Sequence, residues 1–284
     1  MSLFSLRNVS FRYPSQTKDA LHEVTCDIEE GEFVALLGAD GSGKTTFAKL
    51  LNGIIPHVLK GTLSGEVLFR GTPTTRLQMT ELVREVGLTL QDPDVQLFLD
   101  SIEEELAFGP ENLGIPPAEI ENRIARALEI MEITDIRTKS PKTLSGGQKQ
   151  RLVIASILTM GTRTIILDEA LSMLDQAVKK ELLRTLRRMS SEEKMTVIIT
   201  SQDAEDIYQY CDKMILLSRG RLACVGRPRE ILRSSSFLTS LGIEPPQILE
   251  AIDRAKAEGL TGLSDRLYDA FISQLSESRE ARIT

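Results

Sequence analysis

Apolar and polar residues alternate over 3–11 and again over 21–28, the period of half-buried β-strands. Residues 32–37 (EFVALL) form a buried-strand run that enters a glycine-rich turn, and 44–51 then takes up helical spacing. Short strands joined by glycine turns are expected over 61–72, with another strand over 85–90. From 100 to 138 the spacing becomes helical and is broken by Pro110, Pro116 and Pro117, as in a helical insertion. A further apolar helix is expected over 150–159. Two β-branched runs, 164–167 (TIIL) and 196–200 (TVIIT), have the texture of buried parallel strands. An amphipathic helix over 177–188 lies between them, and strands over 214–217 and 221–225 flank the Arg219-Gly220 turn. From Ser234 the chain reads as a polar, helical appendage.

Composition narrows the function. With 284 residues, 41% apolar and 26% charged, the chain has the make-up of a soluble globular protein with one large domain and a small addition. A net charge of −7 disfavours wholesale binding to nucleic acid, which needs a basic field. Cys26, Cys211 and Cys224 are widely spaced and only two histidines occur, so reduced, buried thiols are expected rather than a disulfide framework or zinc site. The opening segment lacks a signal-peptide core, and no apolar run is long enough to span a bilayer. A membrane role would therefore act through a partner.

Three segments carry chemistry. Gly38-Ala39-Asp40-Gly41-Ser42-Gly43-Lys44-Thr45 matches GxxxxGK[ST] between a strand and a helix. Glycines let backbone N–H groups converge on phosphate oxygens, and the helix dipole favours the same anion. Lys44 supplies charge for the phosphates, and Thr45 has a hydroxyl suited to Mg²⁺. Asp168-Glu169 ends the apolar run 164–167, which places two acids at a sheet's carboxyl edge. Asp168 suits Mg²⁺, and Glu169 suits a base acting on the attacking water. Leu144-Ser145-Gly146-Gly147-Gln148-Lys149-Gln150-Arg151 starts a helix with free N–H groups and a small hydroxyl, a second anion cradle. A plain helix cap is the alternative for SGG alone.

With that last string, residues 3–230 resemble the ABC ATPase superfamily. The resemblance implies an α/β P-loop core with a mixed sheet, an antiparallel β subdomain, a helical subdomain inserted at about 91–147, and a C-terminal helical extension over 233–284. It implies ATP and Mg as cofactors and a head-to-tail pair with a second ABC ATPase subunit, either a paralogue or a second copy. Nucleotide contacts would come from Tyr13, Gly38, Asp40, Gly41, Ser42, Gly43, Lys44, Thr45 and Thr46. Ser145, Gly146, Gly147, Gln148 and Asp175 would act on the partner's nucleotide. Tyr13 would stack on adenine, with a core tyrosine as the alternative. Thr45, Gln91 and Asp168 would hold Mg, and Gln91 would also touch the attacking water.

Gln91-Asp92-Pro93-Asp94-Val95-Gln96-Leu97-Phe98 and the stretch Glu105 to Gly114 are similar to the ATPase subunits of energy-coupling factor (ECF) transporters, importers of vitamins and transition-metal ions. This implies integral-membrane partners and a place on the cytoplasmic face of a prokaryotic membrane. Leu97, Phe98 and Phe108 would line the groove for the membrane partner, with core packing the alternative for each. Three positions depart from the family pattern. Ser201 is read as occupying the place of the family's switch histidine, Asp40 adds a carboxylate to the loop, and Ala170-Leu171 follows the acidic pair. The expected consequence is a weakened site of its own beside an intact signature, suited to a heterodimer. Alternatives are a nucleotide-binding subunit with little turnover, or a soluble non-transport ABC ATPase. Against the latter, the stretch from Lys44 to Ser145 is too short for a long coiled-coil insertion.

Overall fold

The period-2 pattern of the first thirty residues produces two long antiparallel strands, and the apolar runs that follow produce a second, parallel sheet beneath them. The computed structural model describes residues 2–172 and 174–280. The first part of the chain runs β1 (Ser2–Arg12), β2 (Leu21–Glu29), β3 (Phe33–Leu37), α1 (Lys44–Leu51), α2 (Ile54–His57), β4 (Thr62–Phe69), β5 (Thr72–Pro73), α3 (Met79–Glu85) and β6 (Val86–Thr89). The middle holds α4 (Pro93–Gln96), α5 (Ile102–Asn112), α6 (Pro117–Ile130), α7 (Gly146–Thr159), β7 (Thr164–Asp168), α8 (Gln176–Glu192), β8 (Thr196–Ser201), β9 (Lys213–Ser218) and β10 (Arg221–Gly226). The last part is helical: α9 (Pro228–Ile231), α10 (Ser235–Ser240), α11 (Gln247–Ala257) and α12 (Thr261–Glu280).

One sheet has the order β2-β1-β4-β5 and is antiparallel. The other has the order β10-β9-β3-β8-β7-β6, parallel except for β10. This is the expected α/β architecture with a mixed sheet. Side-chain alternation divides β3 between two cores. Val34 and Leu36 face the cluster shared with β1, β2 and α1, whereas Phe33, Ala35 and Leu37 face the cluster shared with α5 to α8. The second cluster also takes in Leu238, Ile243, Leu249, Ile252 and Phe271, so the C-terminal helices rest on the same core as the parallel sheet.

Several local expectations are corrected. Over 61–72 a glycine turn at Gly71 joins β4 to a two-residue β5 as expected, but β4 itself is continuous, because Gly65 (φ 77) absorbs an irregularity without ending the pairing with β1. Pro110 does not break α5. It lies within that helix's last turn, and Pro116 and Pro117 form the cap and first position of α6. Helix α7 begins at Gly146, where the Ser145-Gly146-Gly147 motif placed a helix start and ahead of the apolar run at 150, because Ser145 and Gln148 cap it. Cys26 and Cys211 are buried, but Cys224 is only half-buried on β10. No helix among the described residues is long and apolar enough to cross a membrane.

Candidate nucleotide site

Residue pairing aligns the carboxyl ends of four strands. Leu37 pairs with Ser201, Asp168 with Thr200, and Thr89 with Leu167. The phosphate loop, the acidic pair and Gln91 therefore emerge at one sheet edge, the place where open α/β sheets bind ligands.

Between β3 and α1 the loop is bent tightly. Gly43 has φ 104, and a Cβ there would lie 2.7 Å from the Ala20 carbonyl oxygen, so only glycine fits. Lys44 is buried; its Nζ donates to the carbonyls of Gly38 (2.9 Å) and Ala39 (3.1 Å) and pairs with Glu169 Oε1 at 3.0 Å. The Ser42 hydroxyl is buried with no hydrogen-bond partner, an orphaned polar atom inside the loop. Gly38, Gly41, Ser42, Gly43, Lys44 and Thr45 thus lie together between β3 and the first turn of α1. A buried cation and an unused hydroxyl at the start of a helix fit a polyanion such as the ATP phosphates.

The acidic pair is held by one hydroxyl. Thr200 Oγ1 donates to Asp168 Oδ1 (2.8 Å) and accepts from the Glu169 N–H (2.9 Å). Glu169 adopts φ 51, left-handed backbone that costs a non-glycine residue free energy and is held here by its neighbours. Asp168 is buried at the strand end, and Glu169 turns out of the sheet toward Lys44. Gln91 is exposed just beyond the end of β6, the strand that pairs with β7. Thr45, Gln91 and Asp168 supply a hydroxyl, an amide and a carboxylate at this edge, an oxygen set that suits Mg²⁺.

Tyr13 is half-buried. Its ring meets Phe11 edge-on at 4.9 Å and its hydroxyl lies 3.1 Å from Thr46 Oγ1. The Thr46 hydroxyl is thus occupied by Tyr13. Tyr13 is anchored to the first turn of α1.

Ser145 and Gln148 form a capping box at the start of α7: Ser145 Oγ accepts from the Gln148 N–H (3.3 Å) and Gln148 Oε1 accepts from the Ser145 N–H (3.1 Å). The cap reading is therefore realised, and Ser145 and Gly146 remain exposed. Gly147 lies against Val178 of α8. Asp175 caps α8, its Oδ1 accepting from Ala177 and Val178 N–H at 3.1 Å. Met173, in the loop that precedes it, lies outside the described residues.

At the end of β8, Ser201 Oγ accepts from the Asp203 N–H (3.0 Å), so its hydroxyl serves its own turn. The side chain that crosses to the phosphate loop is that of Gln202, whose Nε2 donates to Asp40 Oδ1. Ala170 and Leu171 are buried in the core.

Two features escaped the sequence reading. Glu105, buried on α5, accepts from the N–H groups of Phe98 (3.1 Å) and Leu99 (2.9 Å), fixing the segment after α4. Lys179 of α8 pairs with Asp203 (3.0 Å) and Asp206 (3.5 Å), joining the helix after Asp175 to the loop after β8. Both depend on tertiary placement and leave no local trace in the sequence. Phe98 and Phe108 stack edge-on at 5.1 Å and stay 60% and 45% exposed, which separates them from the core, whereas Leu97 packs partly into it.

Residues 21–172 match the family model described as ABC transporter. An energy-coupling factor transporter ATP-binding protein EcfA from Syntrophomonas wolfei is 35% identical, covering 93% of this chain and 95% of that protein. A putative ABC transporter ATP-binding protein from Pyrococcus abyssi is 36% identical over 98% of this chain and 99% of its own length. Among solved structures, CbiO1 from Clostridium perfringens, part of the ABC transporter complex CbiONQ, superposes with a TM-score of 0.76 at 31% identity, covering 89% of this chain and 99% of that one. The ATP-binding cassette MJ0796, solved as a dimer bound to ADP and Pi, gives a TM-score of 0.68 at 26% identity over 79% and 98%. With its phosphate loop, acidic pair and capped signature helix on this fold, the chain belongs to the ABC transporter family as an ATP-binding subunit, an ABC ATPase.

Proposed function

We propose that the chain powers an ECF-type importer of a vitamin or transition-metal ion, as one half of a head-to-tail ATPase pair on the cytoplasmic face of a prokaryotic membrane. The observation that carries this reading is the split of the site. Loop 38–45, Gln91, Asp168 and Glu169 gather at one sheet edge, while the Ser145–Gly146 cradle stands exposed at the start of another helix. A second subunit's nucleotide is the natural ligand of that cradle. The EcfA and CbiO1 likenesses support the importer class.

In this reading Lys44 and the loop amides bind the ATP phosphates, with Tyr13 against the base. Thr45, Gln91 and Asp168 hold Mg²⁺, which when bound neutralises phosphate charge. Glu169 orients the attacking water and takes its proton. Phe98 and Phe108 form the apolar ledge on which an integral-membrane subunit rests, tied to the signature helix through the Asp94–Lys149 ion pair at 2.5 Å. No nucleic acid is involved.

We propose as well that this chain's own site is weakened. The chain's histidines are His22 on β2 and His57, whose Nε2 lies 2.9 Å from the Thr74 carbonyl oxygen. Positions 201 and 202 hold serine and glutamine, which carry no cationic hydrogen bond; one such bond is worth about 1.5–3 kcal/mol. A low-turnover subunit paired with a competent paralogue follows. Co-purification from native membranes, with ATPase assays of the chain alone, with its paralogue, and as Ser201→His and Gln202→His variants, tests this. Recovery with membrane subunits and slow turnover alone are expected. Full activity of the unaltered chain alone would remove the asymmetric pair, and recovery with only soluble partners would remove the importer.

A further inference from the structure

Gln202 is held at both ends. Its side-chain amide donates to Asp40 in the phosphate loop. Its carbonyl accepts from the Glu244 N–H (2.9 Å), and the Glu244 carbonyl accepts from the Ala204 N–H (3.0 Å), which adds a short parallel bridge between Asp203 and Glu244. The same C-terminal segment touches the loop directly. Gly242 has φ 70, and a Cβ there would stand 2.7 Å from the Ala39 Cβ. The loop is thus flanked on one side by Gln202 and by 242–244.

Asp40 is a liability in this position, because it puts a carboxylate in a loop built to gather an anion. A glutamine amide is a neutral donor, so it fixes that carboxylate's direction without removing its charge. We propose that Gln202 is a positioning residue of the nucleotide site: its amide keeps the Asp40 carboxylate turned toward β8 and off the phosphate path, and segment 242–244 holds Gln202 in register. The C-terminal extension thereby contributes to nucleotide affinity. This rests on reading 38–45 as the ATP loop.

A double-mutant cycle tests it, with Kd measured by calorimetry for ADP and for a non-hydrolysable ATP analogue in Mg²⁺, and a thermal melt for each variant. Gln202→Ala is expected to weaken the ATP analogue about three- to tenfold, the size of effect of one charge moved a few ångströms in a solvent-exposed site. It is expected to weaken ADP less, because ADP carries less charge. In an Asp40→Asn background the same change is expected to have no effect. Equal losses in both backgrounds, or no loss in either, would overturn the proposal while leaving ATP binding intact. Failure of the unaltered chain to bind either nucleotide would overturn the ATP reading and the proposal together. A general fall in melting temperature without the ATP-over-ADP bias would likewise overturn it, since that is the mark of a structural role.

Discussion

Glu169→Gln separates the two tasks that the geometry assigns to one carboxylate. Its Oε1 lies 3.0 Å from Lys44 Nζ, and the two side chains are 16% and 3% exposed, so the pair is largely screened from water. A polyanion entering the loop competes with Glu169 for that ammonium. Lys44 keeps its two carbonyl acceptors when Glu169 becomes an amide, so the variant loses charge attraction without stranding the lysine. A charge-assisted hydrogen bond at such a site is worth about 1.5–3 kcal/mol, part of which the amide retains. Relief of about 1–2 kcal/mol of competition corresponds to ATP binding roughly 5- to 30-fold tighter. Hydrolysis moves the other way, because a positioned base contributes about 10²–10⁴ in rate. Calorimetry and a phosphate-release assay on the assembled pair, in which this site and its partner's are altered separately, measure both. Unchanged affinity would refute the competition for Lys44. Turnover at this site within tenfold of normal would refute the base role and favour a non-catalytic site.

Ser145→Arg is expected to leave nucleotide uptake by the same chain's loop in place but to lower turnover of the pair at least about tenfold, since the exposed cradle serves a neighbour's nucleotide. Phe98→Ala with Phe108→Ala should change folding stability by no more than about 1 kcal/mol, because both rings are about half-exposed, yet release the membrane subunits on co-purification. Arg7→Ala probes a pH linkage. The hydrogen bond from Arg7, together with those from Ser5 and Ser2, holds the Asp27 carboxyl below its ordinary range against a smaller opposing effect of burial. A depressed carboxyl stabilises the fold fully above its unfolded value, about 3.9, and loses that contribution as pH falls through its folded value. The stability gap between wild type and Arg7→Ala should therefore be present at pH 7, small because both partners are nearly half-exposed, and close in strong acid. A gap that grows on acidification would contradict this.

The strand–loop–helix around Lys44 was legible because its information is local: an apolar run, glycines, and helical spacing that match β3 and α1. The β7 and β8 runs were legible for the same reason. Gly65 misled, because a glycine that ends a strand and one that absorbs a bulge look alike until the partner strand fixes the register. The start of α7 was visible as a cap motif but not as periodicity, since Gly146 and Gly147 carry no apolar stripe. At the end of β8 the serine and glutamine could be read from the sequence, while the destinations of the two side chains could not. Ser201 turns inward to Asp203, and Gln202 reaches Asp40 across many intervening residues. The seating of Gly242 on Ala39 is likewise a tertiary contact with no local signature.

The account depends on loop 38–45 taking up nucleotide through Lys44. Titration of the purified chain with ATP in Mg²⁺, beside Lys44→Ala, is the direct measurement. Saturable binding by the unaltered chain, weakened at least about tenfold in the variant, is predicted from the loss of a buried cation at the phosphates. No heat of binding in the unaltered chain, or equal binding by both, would contradict it.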